Sequence, residues 1–400
     1  MINEKPKMIK KQNPSRRLYI AIGIIMAIFA AITFIVLFKL IVKKPDVSHD
    51  VPFDISVIDE NIIDSAEINP NNATVMDGLT YTRKSDVYNF LVAGEALQLQ
   101  TDAMMIVNYD VANNKISVMQ LPRDTYVNIG RNFHTLNCYF VGEYNTGVKK
   151  GADKSTLRAE SMKSFVSLIE QNLNISIDYW VLVNLAAFRE IVDIIGGVEV
   201  TVEHDMFYED PDQDLYINLT AGTQILNGDK AEQFVRFREG YALQDKGRMD
   251  AQKIFLTALM TKLKSSISVT NVAPLIQQIF TNVTTSISPK DSIYFATELL
   301  KADLSNINMM SLPVSSIYDS GWYEIMNRAD ALKMINKHMN VYNEDILDKI
   351  FDKNKIFTND KKTILNNSYL SDSGIDHEGV TAAEINENSI HIQPQASKSN

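Results

Sequence analysis

Three arginines lie within thirteen positions of a segment that otherwise reads as folded and half-apolar: Arg236, Arg238 and Arg248. Arg236 and Arg238 alternate with the apolar residues Val235 and Phe237. In an extended backbone, this alternation places both guanidinium groups on one face and both apolar side chains on the other. Two cations about 7 Å apart on one face repel each other unless an anion lies between them. The planar fork of arginine suits phosphate, so the spacing predicts a site for a phosphorylated ligand.

Arg248 stands at the start of a predicted helix over 246–263 and shares a helix face with Gln252, four residues later. Free N–H groups and the helix dipole favour anions at such a start. Local ion pairing is the alternative interpretation, since four acidic residues lie close in sequence: Glu232, Glu239, Asp245 and Asp250. Surface pairs of this kind contribute little to stability. The sequence alone leaves both interpretations open.

Two further candidate residues stand at the ends of predicted strands. Arg123 follows the apolar run 115–121, a position where α/β folds often carry ligand-binding residues, although an ion pair with Asp124 is the alternative. Asp102 precedes the run 103–109 and could simply cap a turn. It could also hold Mg²⁺ together with phosphate oxygens, with Glu95 as the nearest second carboxylate.

The elements that must position these residues alternate between strands and helices. Residues 87–93, 103–109 and 115–121 read as strands, and Asn113-Asn114 predicts a hairpin between the last two. The other predicted elements are helices at 155–172, 185–195, 271–281, 289–301 and 328–338, and strands at 179–183 and 198–202. Residues 203–228 read as a long excursion rich in Asp, Pro and Asn. The pattern predicts an α/β layer architecture with a mixed sheet.

A run of 21 uncharged residues, LYIAIGIIMAIFAAITFIVLF, occupies 18–38 and is long enough to cross a bilayer. Basic residues concentrate before it, which predicts a cytoplasmic N-terminus and an extracellular domain at the cell membrane. A cleaved signal peptide is the alternative, but the run exceeds a usual h-region and no small-residue cleavage site follows. The predicted organisation is a basic cytoplasmic tail (1–17), a transmembrane helix (18–38), an extracellular stalk (39–85), a folded domain (86–345) and a disordered tail (346–400).

Charge and cysteine content exclude several classes of protein. Beyond residue 38 the chain has 33 basic and 48 acidic residues, a net charge of −15, which argues against a nucleic-acid partner. The single cysteine, Cys138, cannot form an internal disulfide, so the fold must rest on its core. The sequence contains no P-loop, no Gly-x-Ser-x-Gly, no His-Glu-x-x-His and no zinc-type Cys/His spacing.

Three blocks of the sequence, in this order, resemble the LytR-CpsA-Psr (LCP) family. They read TDAMMIVNYDVANNKISVMQLPRDTYVNI, IDYWVLVNLAAFREIVDIIGGVEVTV and LYINLTAGTQILNGDKAEQFVRFREGYALQDKGRMDAQKIFLTAL. The resemblance is strong from 86 to about 265 and continues more weakly to about 345. It implies a three-layer α/β/α domain with a central mixed sheet and a deep apolar groove for a polyprenyl chain.

The resemblance also implies an activity, a phosphotransferase reaction. A glycopolymer such as wall teichoic acid or capsular polysaccharide would pass from its polyprenyl-diphosphate carrier to a peptidoglycan hydroxyl, forming a phosphodiester and releasing polyprenyl phosphate. The implied catalytic residues are Asp102, Arg123, Arg236 and Arg238, the implied diphosphate-binding residues are Arg123, Arg236, Arg238, Arg248 and Gln252, and the implied metal-linked aspartate is Asp102. Arginines and Mg²⁺ would together neutralise the diphosphate.

One departure from the family concerns the metal. Members usually carry an aspartate where this chain has Ala96. Either Glu95 replaces that carboxylate or magnesium binds more weakly.

Two alternative functions of this chain would use the same arginine site. One is a non-catalytic cell-wall assembly or regulatory protein that binds polyprenyl-linked glycans, and the other is an extracellular pyrophosphatase that uses water as the acceptor.

Overall fold

The computed structural model describes residues 42–45, 73–76, 79–96, 99–127, 134–211, 215–241, 245–268, 271–304, 307–318, 321–351, 371–372 and 380–381. No helix within these ranges is long and apolar enough to cross a membrane. The predicted transmembrane segment 18–38 and most of the predicted stalk and tail lie outside the described residues.

The described strands are β1 Ala73–Met76, β2 Leu79–Thr82, β3 Val87–Glu95, β4 Thr101–Asp110, β5 Lys115–Leu121, β6 Tyr179–Asn184, β7 Val198–Val202, β8 Met206–Asp210, β9 Leu215–Leu219, β10 Gly222–Leu226, β11 Thr284–Thr285, β12 Asn308–Ser311, β13 Val314–Tyr318, β14 Trp322–Met326, β15 Ser371–Asp372 and β16 Val380–Thr381. The described helices are α1 Leu136–Lys149, α2 Leu157–Leu173, α3 Leu185–Ile194, α4 Gly228–Arg236, α5 Asp245–Ser266, α6 Val272–Phe280, α7 Pro289–Leu299, α8 Arg328–His338 and α9 Asp348–Phe351.

A mixed sheet lies at the centre of the domain, with the strand order β11-β6-β3-β4-β5-β12-β16. Strands β3, β4 and β5 pair antiparallel in sequence, whereas β6 joins β3 and β12 joins β5 in parallel. The predicted hairpin is therefore confirmed, and its turn uses Asn114 at a positive φ of 53°, which asparagine tolerates better than most residues. The predicted mixed α/β fold is confirmed as well.

Helices cover both faces of this sheet. On one face, side chains of alternate strand residues such as Leu91 join Phe140 of α1 and Phe165 of α2 in a large buried core. On the other face, the ring of Phe295 in α7 packs edge-on against Tyr88, with 4.9 Å between ring centroids. The two helical layers and the sheet between them form three layers.

A second core fills the space between α3, α4, α5 and the strands β7–β10. Within the predicted excursion 203–228, β8 and β9 form an antiparallel hairpin and β10 pairs with β7. In β9, Leu215, Ile217 and Leu219 are buried while the residues between them are exposed. The alternation of apolar and polar residues that marks β9 is only five residues long, and the many Asp, Pro and Asn residues around it made the region read as irregular.

Helix α1 was not predicted from the sequence. Its buried residues are only Leu136, Asn137 and Phe140, so its apolar stripe is short. The helix also contains threonine, glycine and two asparagines, all weak helix formers. Packing of Phe140 into the main core therefore stabilises a helix that local propensity disfavours.

Packed residues lie outside the predicted limits of 86 and 345 on both sides. Before residue 86, Tyr81 is buried in the main core and Arg83 donates to both carboxylate oxygens of Asp178, at 2.6 and 2.7 Å. Beyond residue 345, Ile350 and Phe351 are buried in the same core. The compact domain therefore includes chain that composition assigned to a stalk and a tail.

Candidate functional site

Three of the predicted site residues meet at one edge of the central sheet. Glu95 ends β3, Asp102 is the second residue of β4, and Arg123 follows the end of β5. Because β4 runs antiparallel to both neighbours, its start lies beside the ends of β3 and β5. The hairpin topology therefore brings together residues that lie up to 28 positions apart.

The alternating pattern predicted an extended backbone around Arg236, but only part of this segment is extended. Helix α4 begins after the cap Asn227, whose side chain accepts the N–H of Lys230, and continues to Arg236. Only from Phe237, at φ −60° and ψ 132°, does the backbone extend toward Arg238. Phe237 is buried as expected, but Val235 lies on the same cavity wall as both arginines, so its predicted position on the opposite face is wrong.

Helix α5 carries the other two residues of the cluster. It begins at Asp245, which places Arg248 in the first turn and Gln252 one turn later. Both side chains are buried, with 7% and 9% of their surfaces exposed. The prediction that they share one helix face is confirmed, since both line the same cavity.

All seven predicted residues line a single cavity of about 590 Å³. They are Glu95, Asp102, Arg123, Arg236, Arg238, Arg248 and Gln252. Apolar residues from β3, β4, β6, β9, α3, α4 and α5 also line the cavity, among them Val92, Met105, Val183, Phe188, Ile191, Leu215, Val235, Phe255 and Leu259. One cavity therefore combines a cluster of arginines with an extended apolar wall.

Each of the four arginines also pairs with a carboxylate of the chain. The pairs are Arg123 with Asp102 (3.2 Å), Arg236 with Glu232 (2.7 Å), Arg238 with Glu239 (3.0 Å) and Arg248 with Asp245 (2.7 Å). Asp250 instead pairs with Lys253 at 3.1 Å. The ion-pairing interpretation was therefore right about three of its four carboxylates, and these pairs coexist with a shared cavity.

Burial changes the electrostatics of this cluster. Burial opposes the charge on Arg123, but the carboxylates of Asp245, Asp124 and Asp102 raise the pKa of Arg123 above its ordinary value. Burial lowers the pKa of Arg248 and raises the pKa of the Asp124 carboxyl. The Nε atoms of Arg123 and Arg248 are buried without a hydrogen-bond acceptor among the described residues. Such donors are costly unless an oxygen reaches them, and an anionic ligand would supply one.

Gln252 is bound at both ends of its amide. Its Oε1 accepts from Nε2 of Gln120 at 2.8 Å, and its Nε2 donates to the carbonyl of Val235 at 3.2 Å. Gln252 thus links β5, which leads to Arg123, with the last turn of α4, which carries Arg236. Sequence reasoning missed Gln120, because a buried glutamine inside an apolar strand has no local signature.

The second carboxylate considered for a metal, Glu95, is held by an arginine. Arg158 of α2 donates to both oxygens of Glu95, at 2.9 and 3.0 Å. The two residues lie 63 positions apart, so no spacing in the sequence indicated this pair. Across the described ranges, no group of three or more His, Cys, Asp or Glu residues could hold a metal ion. Asp102, which Arg123 contacts through one carboxylate oxygen, fits the one-carboxylate mode of Mg²⁺ binding, whereas Arg158 holds both oxygens of Glu95 and would first have to release them.

The fold and the cavity define a class of protein, a mixed α/β domain in which an arginine-rich anion site opens onto an apolar cavity. The model of the LytR_cpsA_psr family matches residues 58–340. The chain therefore belongs to the LytR_cpsA_psr family, as its three sequence blocks predicted.

Two relatives have names that state an activity. The polyisoprenyl-teichoic acid–peptidoglycan teichoic acid transferase TagU of Bacillus cereus is 27% identical over 243 residues, which cover 60% of this chain and 72% of TagU. TagV of Bacillus subtilis, also named a polyisoprenyl-teichoic acid–peptidoglycan teichoic acid transferase, is 25% identical over 220 residues, which cover 55% of this chain and 53% of TagV. The chain thus matches about half the length of TagV.

Solved structures share the fold. The crystal structure of B. subtilis TagV superposes with a TM-score of 0.52 at 22% identity, over 64% of this chain and 98% of that one. A structure of TagT bound to LIIa-WTA superposes with a TM-score of 0.50 at 24% identity, over 64% and 90% of the two chains. At these identities the likeness concerns the fold alone.

Proposed function

We propose that this protein is a phosphotransferase that moves a glycopolymer from a polyprenyl-diphosphate carrier to peptidoglycan. The glycopolymer is of the teichoic acid or capsular type. Family membership and the names of TagU and TagV support this activity. The transfer forms a phosphodiester with peptidoglycan and releases polyprenyl phosphate.

The observation that carries the proposal is the composition of this cavity. Four arginines and an apolar wall line the same space. A polyprenyl diphosphate has the same two parts, a charged head and an apolar chain. Two of the arginines also have buried Nε–H groups that lack an acceptor within the described part of the chain. A soluble nucleotide would satisfy the arginines but would leave the apolar wall without a partner.

The chemistry follows from charge. A hydroxyl of peptidoglycan attacks the phosphorus on the glycopolymer side of the diphosphate. The bond from that phosphorus to the bridging oxygen breaks, and its electron pair leaves with the polyprenyl phosphate. Guanidinium groups of Arg123, Arg236 and Arg238 stabilise the negative charge that develops on this leaving group. Arg248, at the start of α5, adds a buried cation and the positive end of a helix dipole.

We also propose that Asp102 is the protein ligand of a magnesium ion. Its side chain is 29% exposed and lines the cavity beside Arg123. The ion would supply further neutralisation of the diphosphate oxygens when bound. Glu95 enters this site only if it gives up Arg158, so its role as a metal ligand stays a prediction.

The uncharged run 18–38 supports a location at the cell membrane. We propose that this run anchors the chain with its N-terminus in the cytoplasm and the domain outside. A polyprenyl carrier is confined to the membrane, so an anchored domain meets its donor at short range. The net charge of −15 beyond residue 38 supports the absence of a nucleic-acid partner.

The test uses the full chain in detergent, a polyprenyl-diphosphate-linked glycan and peptidoglycan oligomers. We expect a glycan–peptidoglycan conjugate and free polyprenyl phosphate from the wild type. Arg236→Ala and Arg238→Ala should each reduce the transfer rate by about 10²-fold or more, because each removes a cation from the developing charge. Arg328→Ala, which removes an arginine of α8 outside the cavity, is the control.

Product analysis separates the alternatives. A phosphorylated glycan released into water would identify a pyrophosphatase. Glycan binding without any product would identify a non-catalytic wall-assembly protein. Arg236→Ala and Arg238→Ala proteins that transfer as fast as the wild type would show that the arginine site is not the reaction site.

A further inference from the structure

The described ion pairs of the cavity set five carboxylates against four guanidinium groups. The carboxylates belong to Asp102, Asp124, Glu232, Glu239 and Asp245, and the arginines are Arg123, Arg236, Arg238 and Arg248. With every group ionised, these groups have no excess of positive charge, even when Arg189, which also pairs with Glu232, is counted. A diphosphate therefore cannot bind by charge alone, and it must compete with at least one carboxylate for its arginines.

Asp245 differs from the other carboxylates because it pairs with two of these arginines. Its Oδ1 lies 2.7 Å from Nη2 of Arg248 and 3.5 Å from Nη2 of Arg123. These are the same two arginines whose Nε atoms are buried with no hydrogen-bond acceptor in the ranges that the structure describes. A carboxylate oxygen thus stands between two guanidinium groups that still have unsatisfied donors, as a phosphate oxygen would.

Position and exposure distinguish Asp245 from Glu232, the most buried of the five carboxylates. Its side chain is 32% exposed, and it is the first residue of α5, where a side chain can turn outward. Glu232, by contrast, is 10% exposed and lies 2.6 Å from Arg189 as well as 2.7 Å from Arg236. Moving Glu232 would break both short ion pairs of a buried carboxylate, which is costly.

We infer that Asp245 competes with the diphosphate for Arg123 and Arg248 and thereby limits the affinity of the site. This inference rests on the proposed function, because it takes the arginine cavity to be the diphosphate site. Asp245 is an affinity-determining residue in this scheme and takes no part in bond making. Without ligand it holds in place two cations that would otherwise repel each other. When the diphosphate binds, it displaces Asp245 and contacts both arginines.

The experiment measures the dissociation constant of inorganic pyrophosphate by calorimetry, with the full chain in detergent. Asp245→Asn keeps the shape of the side chain but removes its charge, so we expect affinity to rise about three- to tenfold. Asp245→Ala should raise it in the same direction, which keeps the test valid if one variant folds poorly. Asp245→Glu retains the carboxylate and should bind as weakly as the wild type.

Asp330→Asn is a matched control. Asp330 lies in the first turn of α8 and pairs with Lys333 three residues later, the same arrangement as Asp245 and Arg248. Its substitution changes the net charge equally but lies outside the cavity, so pyrophosphate affinity should not change. Weaker or unchanged binding by both uncharged Asp245 variants overturns the inference, as does a full gain in Asp245→Glu or a wild type that binds no pyrophosphate. Pyrophosphate binding needs no acceptor, so a failure of transfer to peptidoglycan leaves this result unaffected.

Discussion

Paired charges govern the cavity at the scale of single residues. Arginines gather around one space, and each is held in place by a carboxylate of the chain. Exposed pairs of this kind contribute little to stability, but a buried charge that loses its partner is strongly destabilising. The pairs therefore act mainly on geometry, since they keep guanidinium groups apart and oriented until an anion arrives.

The pair between Glu95 and Arg158 gives a prediction at this scale. Glu95 is 6% exposed, so Arg158→Leu leaves a buried carboxylate without its cation and should lower the melting temperature. If Glu95 can serve as a metal ligand, Mg²⁺ then raises the melting temperature of this variant more than that of the wild type, because the ion replaces the lost cation.

Lys333→Leu reports the effect of losing an exposed cation alone, since Lys333 is 76% exposed and lies outside the cavity. An equal response of the wild type and Arg158→Leu to Mg²⁺ would show that Glu95 is no ligand, which leaves Asp102 as the candidate carboxylate. The measurement needs neither substrate nor transfer.

At the scale of elements, the site depends on how β5, α4 and α5 are held together. Gln252 on α5 connects Gln120 of β5 to the carbonyl of Val235 on α4. Gln120 is 2% exposed, and its own Oε1 has no partner among the described residues. A link built from buried amides is effective only while all its members are present.

Gln120→Leu should lower the free energy of unfolding by about 1–3 kcal/mol, because it leaves Oε1 of Gln252 buried without a donor. The double variant Gln120→Leu/Gln252→Leu should lose less than the sum of the two single variants, since the second change removes the orphaned oxygen. Urea unfolding followed by the fluorescence of buried Trp180 measures these differences. Strict additivity would mean that the two amides do not interact.

At the scale of the whole molecule, stability should depend on pH through a carboxyl group far along the chain from the arginine cluster. Glu170 of α2 is buried and its Oε1 accepts the N–H of Ile177 at 2.8 Å, which joins α2 to the segment before β6. Burial raises the pKa of Glu170 from 4.5 to about 7, and nearby Asp178 adds to the effect.

A raised folded-state pKa fixes the sign of this dependence. Between pH 4.5 and about 7 the folded state binds more protons at Glu170 than the unfolded state, so this group's contribution to stability falls as pH rises. Glu170→Gln keeps the acceptor for Ile177 but cannot ionise. We expect Glu170→Gln to gain on the wild type by up to about 3 kcal/mol between pH 5 and pH 8.

Urea unfolding at several pH values measures this gain, and only the difference between variant and wild type matters, because other carboxyl groups titrate in both. Glu160→Gln, an exposed residue on the same helix, controls for the loss of a charge. A constant difference between Glu170→Gln and the wild type from pH 5 to 8 would contradict the prediction.

Local patterns in the chain determined the central hairpin, most of the helices, the mixed α/β class and all seven candidate residues. These features rest on short-range causes: strand and helix periodicity, turn residues such as Asn114, and arginine spacing within thirteen positions. The family blocks then implied roles for Arg123 and Asp102, which their positions at strand ends had already singled out. The alternating arginines misled at Arg236, because the sequence predicted no helix there, whereas α4 continues to Arg236 and the backbone extends only from Phe237.

Only the tertiary structure decided which groups meet. Arg158 reaches Glu95 across 63 positions, and Gln120 reaches Gln252 across 132. Helix α1 forms because Phe140 is buried in the core, and the apolar wall of the cavity comes from at least seven separate elements. Such contacts depend on how the layers pack and on which carboxylate forms the ion pair with each buried arginine. Those are competitions between distant groups, and no local pattern in the sequence records their outcome.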